Sequence, residues 1–300
     1  MRCRPEKKLI SIAILNPTEN VMHIPEILAW SWTGHGALTS AAVTAAIAQF
    51  VTLGKSFLEK RFVEIYKVWQ GPLGKASPKD CLQEMMAILP EVVQNEDIHP
   101  ANIPVIGEFL NPTTGQVRHF MRSSASVTSL EAYNASKAYI IQHLTGAWSK
   151  YREAVNFQDK WYDVLNSSSS IFWEGNYELG KALHTIEDSY APGHVTRKPG
   201  SGFIVQVNIW DNENKNPDPA RDWPGHEALD NPNNEKSREF FVKAKEATAA
   251  LIVCVLANLD QDEPAFTKAV KDSIEKYFHL GLAFENDPSD LLQKSDTLPA

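Results

Sequence analysis

Long runs of good helix formers, with apolar residues three and four positions apart, recur along nearly the whole chain. They include LTSAAVTAAIAQFVTL, SFLEKRFVEIYKVW, SLEAYNASKAYIIQHL, YREAVNFQDKWYDVL, NYELGKALHTIEDSY, KSREFFVKAKEATAALIVCVLANL and PAFTKAVKDSIEKYFHLGLAF. This spacing lines one side of a helix and leaves the other to solvent. The alternating pattern of a half-buried strand is met once, in GFIVQVNIW at 202–210, which reads as a short hairpin or an extended loop. The expected fold is therefore all-α, one compact multi-helix domain over 30–285. Residues 1–29 form an amino-terminal extension or atypical export segment, and 286–300 a carboxy-terminal tail.

Two polar, Pro/Gly-rich segments, at about 96–117 and 195–234, are longer than a helix connection needs, and loops of that length commonly carry function. A formal net charge of −8 argues against a broad basic surface for duplex nucleic acid, and carboxylate-rich metal sites would have that charge partly offset by their cations. Cys3, Cys81 and Cys254 lie far apart without a CxxC pair, which points to neither a disulfide framework nor a thiolate zinc site. The start, MRCRPEKKLISIAILNPTEN, pairs basic residues with an apolar run at the lower limit for a signal peptide, and no small-x-small cleavage site follows closely. The longest apolar stretch, AALIVCVLA, is too short to span a membrane and reads as a buried helix.

The stretch HTIEDSYAPGH, from His184 to His194, carries the chemistry. In a helix His184 and Asp188 are one turn apart on one face, and Pro192–Gly193 break the helix so that the chain can bring His194 back. Taken alone, a His/Asp pair at this spacing is more often a polar helix end than a metal site. Other candidates stand elsewhere: His35 in WSWTGHGALT just before a small-residue helix, Asp97 in NEDIHP with Glu96 as its alternative, His119 in QVRHFMR, and His226 and Asp230 in DWPGHEALD. Individually, His35 could cap a helix, His119 could be a core histidine and Asp230 could end a helix before Asn-Pro. His23, His99, His143 and His279 read as structural or surface groups.

In order and spacing, this set resembles the zinc-dependent phospholipase C superfamily, which also holds the single-strand-specific zinc nucleases. The resemblance covers Trp30 to Asp230 and, by helix content, extends to about Phe284. It implies a metal cluster of three zinc ions at the bottom of a cleft framed by the long loops. Asp97, His119 and His184 would hold one ion, and Asp188 would bridge it to a second completed by His35 and the backbone of Trp30. His194, His226 and Asp230 would hold the third. Imidazole and carboxylate are the ligands with which zinc keeps a position open for water. Two departures stand out: Trp30, whose free amine is commonly a ligand in the family, follows 29 residues, and the last ligand is Asp as in the nucleases, where the bacterial phospholipases have Glu.

The resemblance further implies hydrolysis of a phosphodiester by metal-activated water, with Asp97 orienting or deprotonating that water. The expected substrate is a glycerophospholipid at a membrane surface, with phosphatidylcholine first, and no stable nucleic-acid complex. The segment Val195–Trp223, with Arg197, Phe203 and Trp210, could form the wall that recognises the head group, or an inert surface loop. The alternatives are a single-strand-specific zinc nuclease or 3'-nucleotidase and a non-catalytic zinc- and lipid-binding module. Secretion or export is the expected location, with sequons at Asn134 and Asn166 usable only in a eukaryotic secretory pathway. Other metal classes fail on spacing: EDIH is the only Glu-x-x-His, HEALD is not His-Glu-x-x-His, no His-Asp dipeptide occurs, and GPLGKAS has too few residues between its glycines for a phosphate loop.

Overall fold

The structure, a computed structural model, describes residues 32–70, 77–96, 115–122, 127–157, 161–198, 202–208 and 235–280. Of these, 77% are helical, and the sheet among them is a single two-stranded hairpin, so the domain is all-α as the periodicity predicts. The helices are α1 (Trp32–Thr52), α2 (Ser56–Gln70), α3 (Pro78–Met85), α4 (Leu89–Asn95), α5 (Gly115–Arg118), α6 (Ser129–Asn156), α7 (Trp161–Asp188), α8 (Glu235–Ala257) and α9 (Glu263–Tyr277). Strands β1 (Val195–Arg197) and β2 (Ile204–Val207) pair antiparallel with a bulge after Thr196.

The spine is the pair α6 and α7. Tyr151 lies against Gly175 and Glu178 against Gly146, so neighbours run in opposite sequence directions and the two helices are antiparallel. A methyl group at Gly175 would overlap the Tyr151 ring, whose hydroxyl donates to Asn176 Oδ1 at 2.6 Å. The sequence places a helix across 151–165; instead α6 ends at Asn156 and α7 begins at Trp161. The reason is tertiary. Arg61 of α2 donates to the carbonyls of Val155 and Phe157 at 2.8 and 2.9 Å, satisfying groups that the last turn of a helix leaves over. The serine run 167–170 lies inside α7.

Around this spine α1 packs on α4 and α8, and α4 also packs on α7. Helix α1 is built largely of alanine and other small residues, and Leu38, Ala42, Ala46, Ile47 and Phe50 are buried along it. The stretch read as a buried helix is indeed core: Leu251, Ile252, Val255 and Leu256 of α8 are inaccessible. No helix among the described residues is long and apolar enough to cross a membrane.

Helices α3 and α4 carry weaker sequence signals. Ser77 accepts from the amide of Asp80 at 3.2 Å, with Pro78 in the first turn, a start signal legible in KASPKD. Helix α4 has no side-chain cap and stands by burying Leu89, Val92 and Val93. The expected extensions at 1–29 and 286–300 lie outside the described residues, as does most of the long segments at 96–117 and 195–234.

Candidate metal centre

The end of α7 delivers the central residues. His184 and Asp188 project from one face, one turn apart, and Asp188 Oδ2 lies 3.0 Å from His184 Nε2. His119 Nδ1 lies 3.1 Å from the same oxygen and 3.1 Å from His184 Nε2. These three donor atoms form a nearly equilateral triangle. On the far side of the carboxyl, Asp188 Oδ1 lies 3.1 Å from His35 Nε2. His35, His184 and Asp188 are all buried, and their ligand atoms fall within 4.8 Å of one another.

Behind three of the four imidazoles stands a group that fixes its proton. A carbonyl oxygen can only accept, so His184 Nδ1–H donates to Val93 O at 3.1 Å and His194 Nδ1–H to His119 O at 2.6 Å. His35 Nδ1–H donates to Glu187 Oε2 at 2.8 Å. The other oxygen of Glu187 accepts from Thr39 at 2.8 Å and Thr248 at 3.4 Å, and three donors on two oxygens suit the ionised form. Burial pushes the Glu187 carboxyl up, partly offset by the hydrogen bond and charge of His35. Burial also raises Asp188, but His184, His194 and His119 more than reverse that and hold it well below the usual carboxylate range.

With Nδ1 protonated, His184 and His35 each turn an electron pair on Nε2 toward a carboxylate oxygen. A proton bridges two such atoms, whereas a metal ion satisfies three at once. The triangle edges of 3.0–3.1 Å fall slightly inside the roughly 3.3–3.4 Å separating ligands of a tetrahedral zinc ion bound at about 2.0–2.1 Å. Donor set and tautomers therefore fit a metal ion. The arrangement of a carboxylate or carbonyl behind a ligating histidine is the usual support of such sites.

Local backbone explains why these side chains meet. Gly180 lets α4 approach α7 so closely that a methyl group there would overlap Val92, and this brings the next carbonyl, Val93 O, to His184. His119 sits at the end of α5, where Phe120 N–H bonds Val117 O and Met121 N–H bonds Gln116 O. That is a Schellman closure, with Phe120 in the left-handed position at φ 51. A phenylalanine there costs about 1–2 kcal/mol relative to a relaxed backbone. It is held by stacking on Phe278 and edge contact with Tyr133. The turn points His119 at Asp188 and Phe120 into the core.

His194 is returned by a turn rather than by the helix, which already ends at Asp188, four residues before Pro192. Asn208 clamps that turn: its side-chain amide donates to Pro192 O and Gly193 O at 3.3 and 2.8 Å, and its backbone amide to His194 O at 2.8 Å. His194 Nδ1 comes to 3.7 Å from Asp188 Oδ2. His35 lies within α1 rather than before it, because the helix begins at Trp32.

Five of the sequence-predicted site residues, His35, His119, His184, Asp188 and His194, are thus gathered in one buried group. Trp30, Asp97, His226 and Asp230 lie outside the described residues, so the structure does not place them. Glu96, the alternative to Asp97, lies 3.8 Å from Arg118. Sequence reasoning missed Glu187, although its position three residues after His184 put it near the same face. It could not have found Val93 O, Thr39, Thr248 or Asn208, which meet the site only through packing.

Arg197, one candidate for a head-group wall, is buried. Its guanidinium donates to Ser189 O, Gly202 O and Tyr277 O and lies 4.0 Å over the Tyr190 ring, which makes it a brace between the hairpin and the end of α7. Phe203 is exposed, and Trp210 lies outside the described residues. His143 is paired with Glu178 at 2.6 Å and stands apart from the metal group. Compared with protein-family models, with curated proteins and with solved structures, the chain finds no match, so its function is argued from the residues themselves.

Proposed function

We propose that the protein is a zinc-dependent phosphodiester hydrolase of the phospholipase C kind, cleaving glycerophospholipids, phosphatidylcholine first, to diacylglycerol and a phosphorylated head group. The supporting observation is Asp188, whose two oxygens face different imidazoles: Oδ2 toward His119 and His184, Oδ1 toward His35. A carboxylate so placed suits two ions held side by side. Zinc bound there would supply an activated water and neutralise charge on the attacking and leaving oxygens.

The chain's own residues do the rest. Asp97, His119 and His184 would hold one ion, with Asp188 bridging it to a second completed by His35 and the backbone of Trp30, and His194, with His226 and Asp230, would hold a third. Glu187, Val93 O and His119 O fix the rings of His35, His184 and His194. Asp97 would take the proton of the attacking water. Burial of the five ligands keeps bulk water from competing, and no side-chain nucleophile is required. Action at a membrane surface after export belongs to the same proposal.

One observation favours a second reading, a single-strand-specific zinc nuclease: the last ligand is Asp230, the residue type that the nucleases carry there. One experiment separates the readings. Metal analysis of the purified protein is combined with product analysis on phosphatidylcholine and on single-stranded DNA, each with and without chelator. Chelator-sensitive diacylglycerol release is the expected result. Nucleotide release would replace the proposal with the nuclease, and bound zinc without either product would leave a non-catalytic zinc- and lipid-binding module.

A further inference from the structure

Between the hairpin and helices α8 and α9 lies a pocket of about 170 Å³, lined among others by Arg197, Phe203, Lys243, Glu246, Lys276 and Tyr277. It is smaller than the roughly 300–1,000 Å³ of sites for drug-sized ligands, which limits an occupant to one small group. Among the described residues that line it the charge is uneven: three cationic side chains face one carboxylate, that of Glu246.

Arg197 forms the floor. Its partners are carbonyl dipoles, the Ser189 hydroxyl and the Tyr190 ring, and among the described residues no carboxylate lies within ion-pair distance of it. A buried cation without a counter-charge is unfavourable, and burial draws this guanidinium down to about 10. Lys243 reaches across from α8 with its amine beside Gly202, and among the described residues its ion-pair partner is the exposed Glu239 at 2.5 Å. Lys276 lies 5.1 Å over the Tyr277 ring on α9. Phe203, 38% exposed, supplies an apolar wall, with His279 edge-on against it.

We propose that this pocket binds a small phosphate monoester, with Lys243 and Lys276 on its oxygens, Arg197 beneath as the counter-charge, and Phe203 and Tyr277 against the organic part. The pocket is separate from the metal ligands but shares a turn with them, because Arg197 also donates to Ser189 O, the residue after Asp188. Occupancy would neutralise the brace that holds the end of α7. The ligand could be a free phosphate ester or the head group of a lipid such as phosphatidic acid.

Glycerol 3-phosphate is titrated calorimetrically into the full-length wild-type protein and the double variant Lys243→Gln/Lys276→Gln, both zinc-loaded. Phosphate binding at the metal centre is common to both proteins and cancels in the comparison. The double variant is expected to bind at least tenfold more weakly, with an unchanged circular dichroism spectrum, and Glu246→Gln to bind several-fold more tightly. In parallel, both proteins are sedimented with phosphatidylcholine vesicles with and without phosphatidic acid. Pelleting of wild type, but not of the double variant, by the phosphatidic acid vesicles identifies a lipid head group as the source. Ester binding without pelleting identifies a soluble ligand. Titration and pelleting that are both unaffected by the lysine substitutions overturn the proposal. Binding is read here without turnover, so a failure of the hydrolase reading leaves this result standing.

Discussion

Removing the Glu187 carboxylate is the sharpest perturbation of the metal group that replaces none of its ligands. The side chain is fully buried and serves three donors: His35 Nδ1–H and the hydroxyls of Thr39 and Thr248. In Glu187→Ala the ring of His35 loses the acceptor that fixes its tautomer, and a proton can occupy Nε2, the atom facing Asp188 Oδ1. Loss of such a supporting carboxylate lowers metal affinity about 10–100-fold, or about 1.4–2.7 kcal/mol. The upper end is expected, because two threonine hydroxyls are stranded in the same step. Glu187→Gln keeps one carbonyl oxygen for His35 and turns its amide toward Thr39, whose hydroxyl can accept, so the loss should stay near tenfold. The assay is competition for zinc against a graded chelator, with bound metal counted by mass spectrometry and folding followed by circular dichroism. On the proposed two-ion reading, binding at His119 and His184 should be retained in both variants, while binding at His35 weakens, most in Glu187→Ala. If Glu187→Ala binds as much zinc as wild type, as tightly, then Glu187 does not orient His35 and this account of the site is wrong.

Gly180→Ala places a methyl against Val92 and pushes α4 away from α7; about 1–3 kcal/mol of stability should be lost in urea unfolding, together with zinc affinity as Val93 O leaves His184. Asn208→Ala releases the turn that presents His194 and should cost about 1–3 kcal/mol in the same assay, with zinc stoichiometry falling before overall structure does. Burial raises the Glu178 carboxyl, but the His143 hydrogen bond and the charges of Lys181 and His143 outweigh it and set it below its ordinary value of 4.5. A depressed carboxyl stabilises the folded state above its unfolded value and loses that contribution as pH falls through its folded value. Stability should therefore decline more steeply with acid in wild type than in Glu178→Gln below about pH 4.5, and equal slopes would show that the pair contributes nothing.

Much of this was legible in the residues. Periodicity fixes helix content because a 3.6-residue repeat of apolar side chains has one geometry that buries them together, and the segments ending in AALIVCVLA and HTIED are helices as read, the first of them core. The His184/Asp188 spacing likewise sets a shared face whatever the rest of the chain does. Boundaries were less legible. The end of α6 at Asn156 follows from Arg61, nearly a hundred residues away, and α4 has no cap to announce it.

Sequence by itself thus determined the residue types and local spacings of a histidine–carboxylate group on a helical scaffold. Tertiary structure alone decided which atoms face one another. It placed Asp188 Oδ1 on His35 and Oδ2 on His119 and His184, chose the protonated nitrogen of His184 through a carbonyl on a neighbouring helix, and buried Arg197 where a surface role was equally compatible with its sequence. The physical reason is range. Helical periodicity and turn chemistry act over a few residues, whereas a tautomer or a buried charge is set by dipoles that only packing brings within about 3 Å.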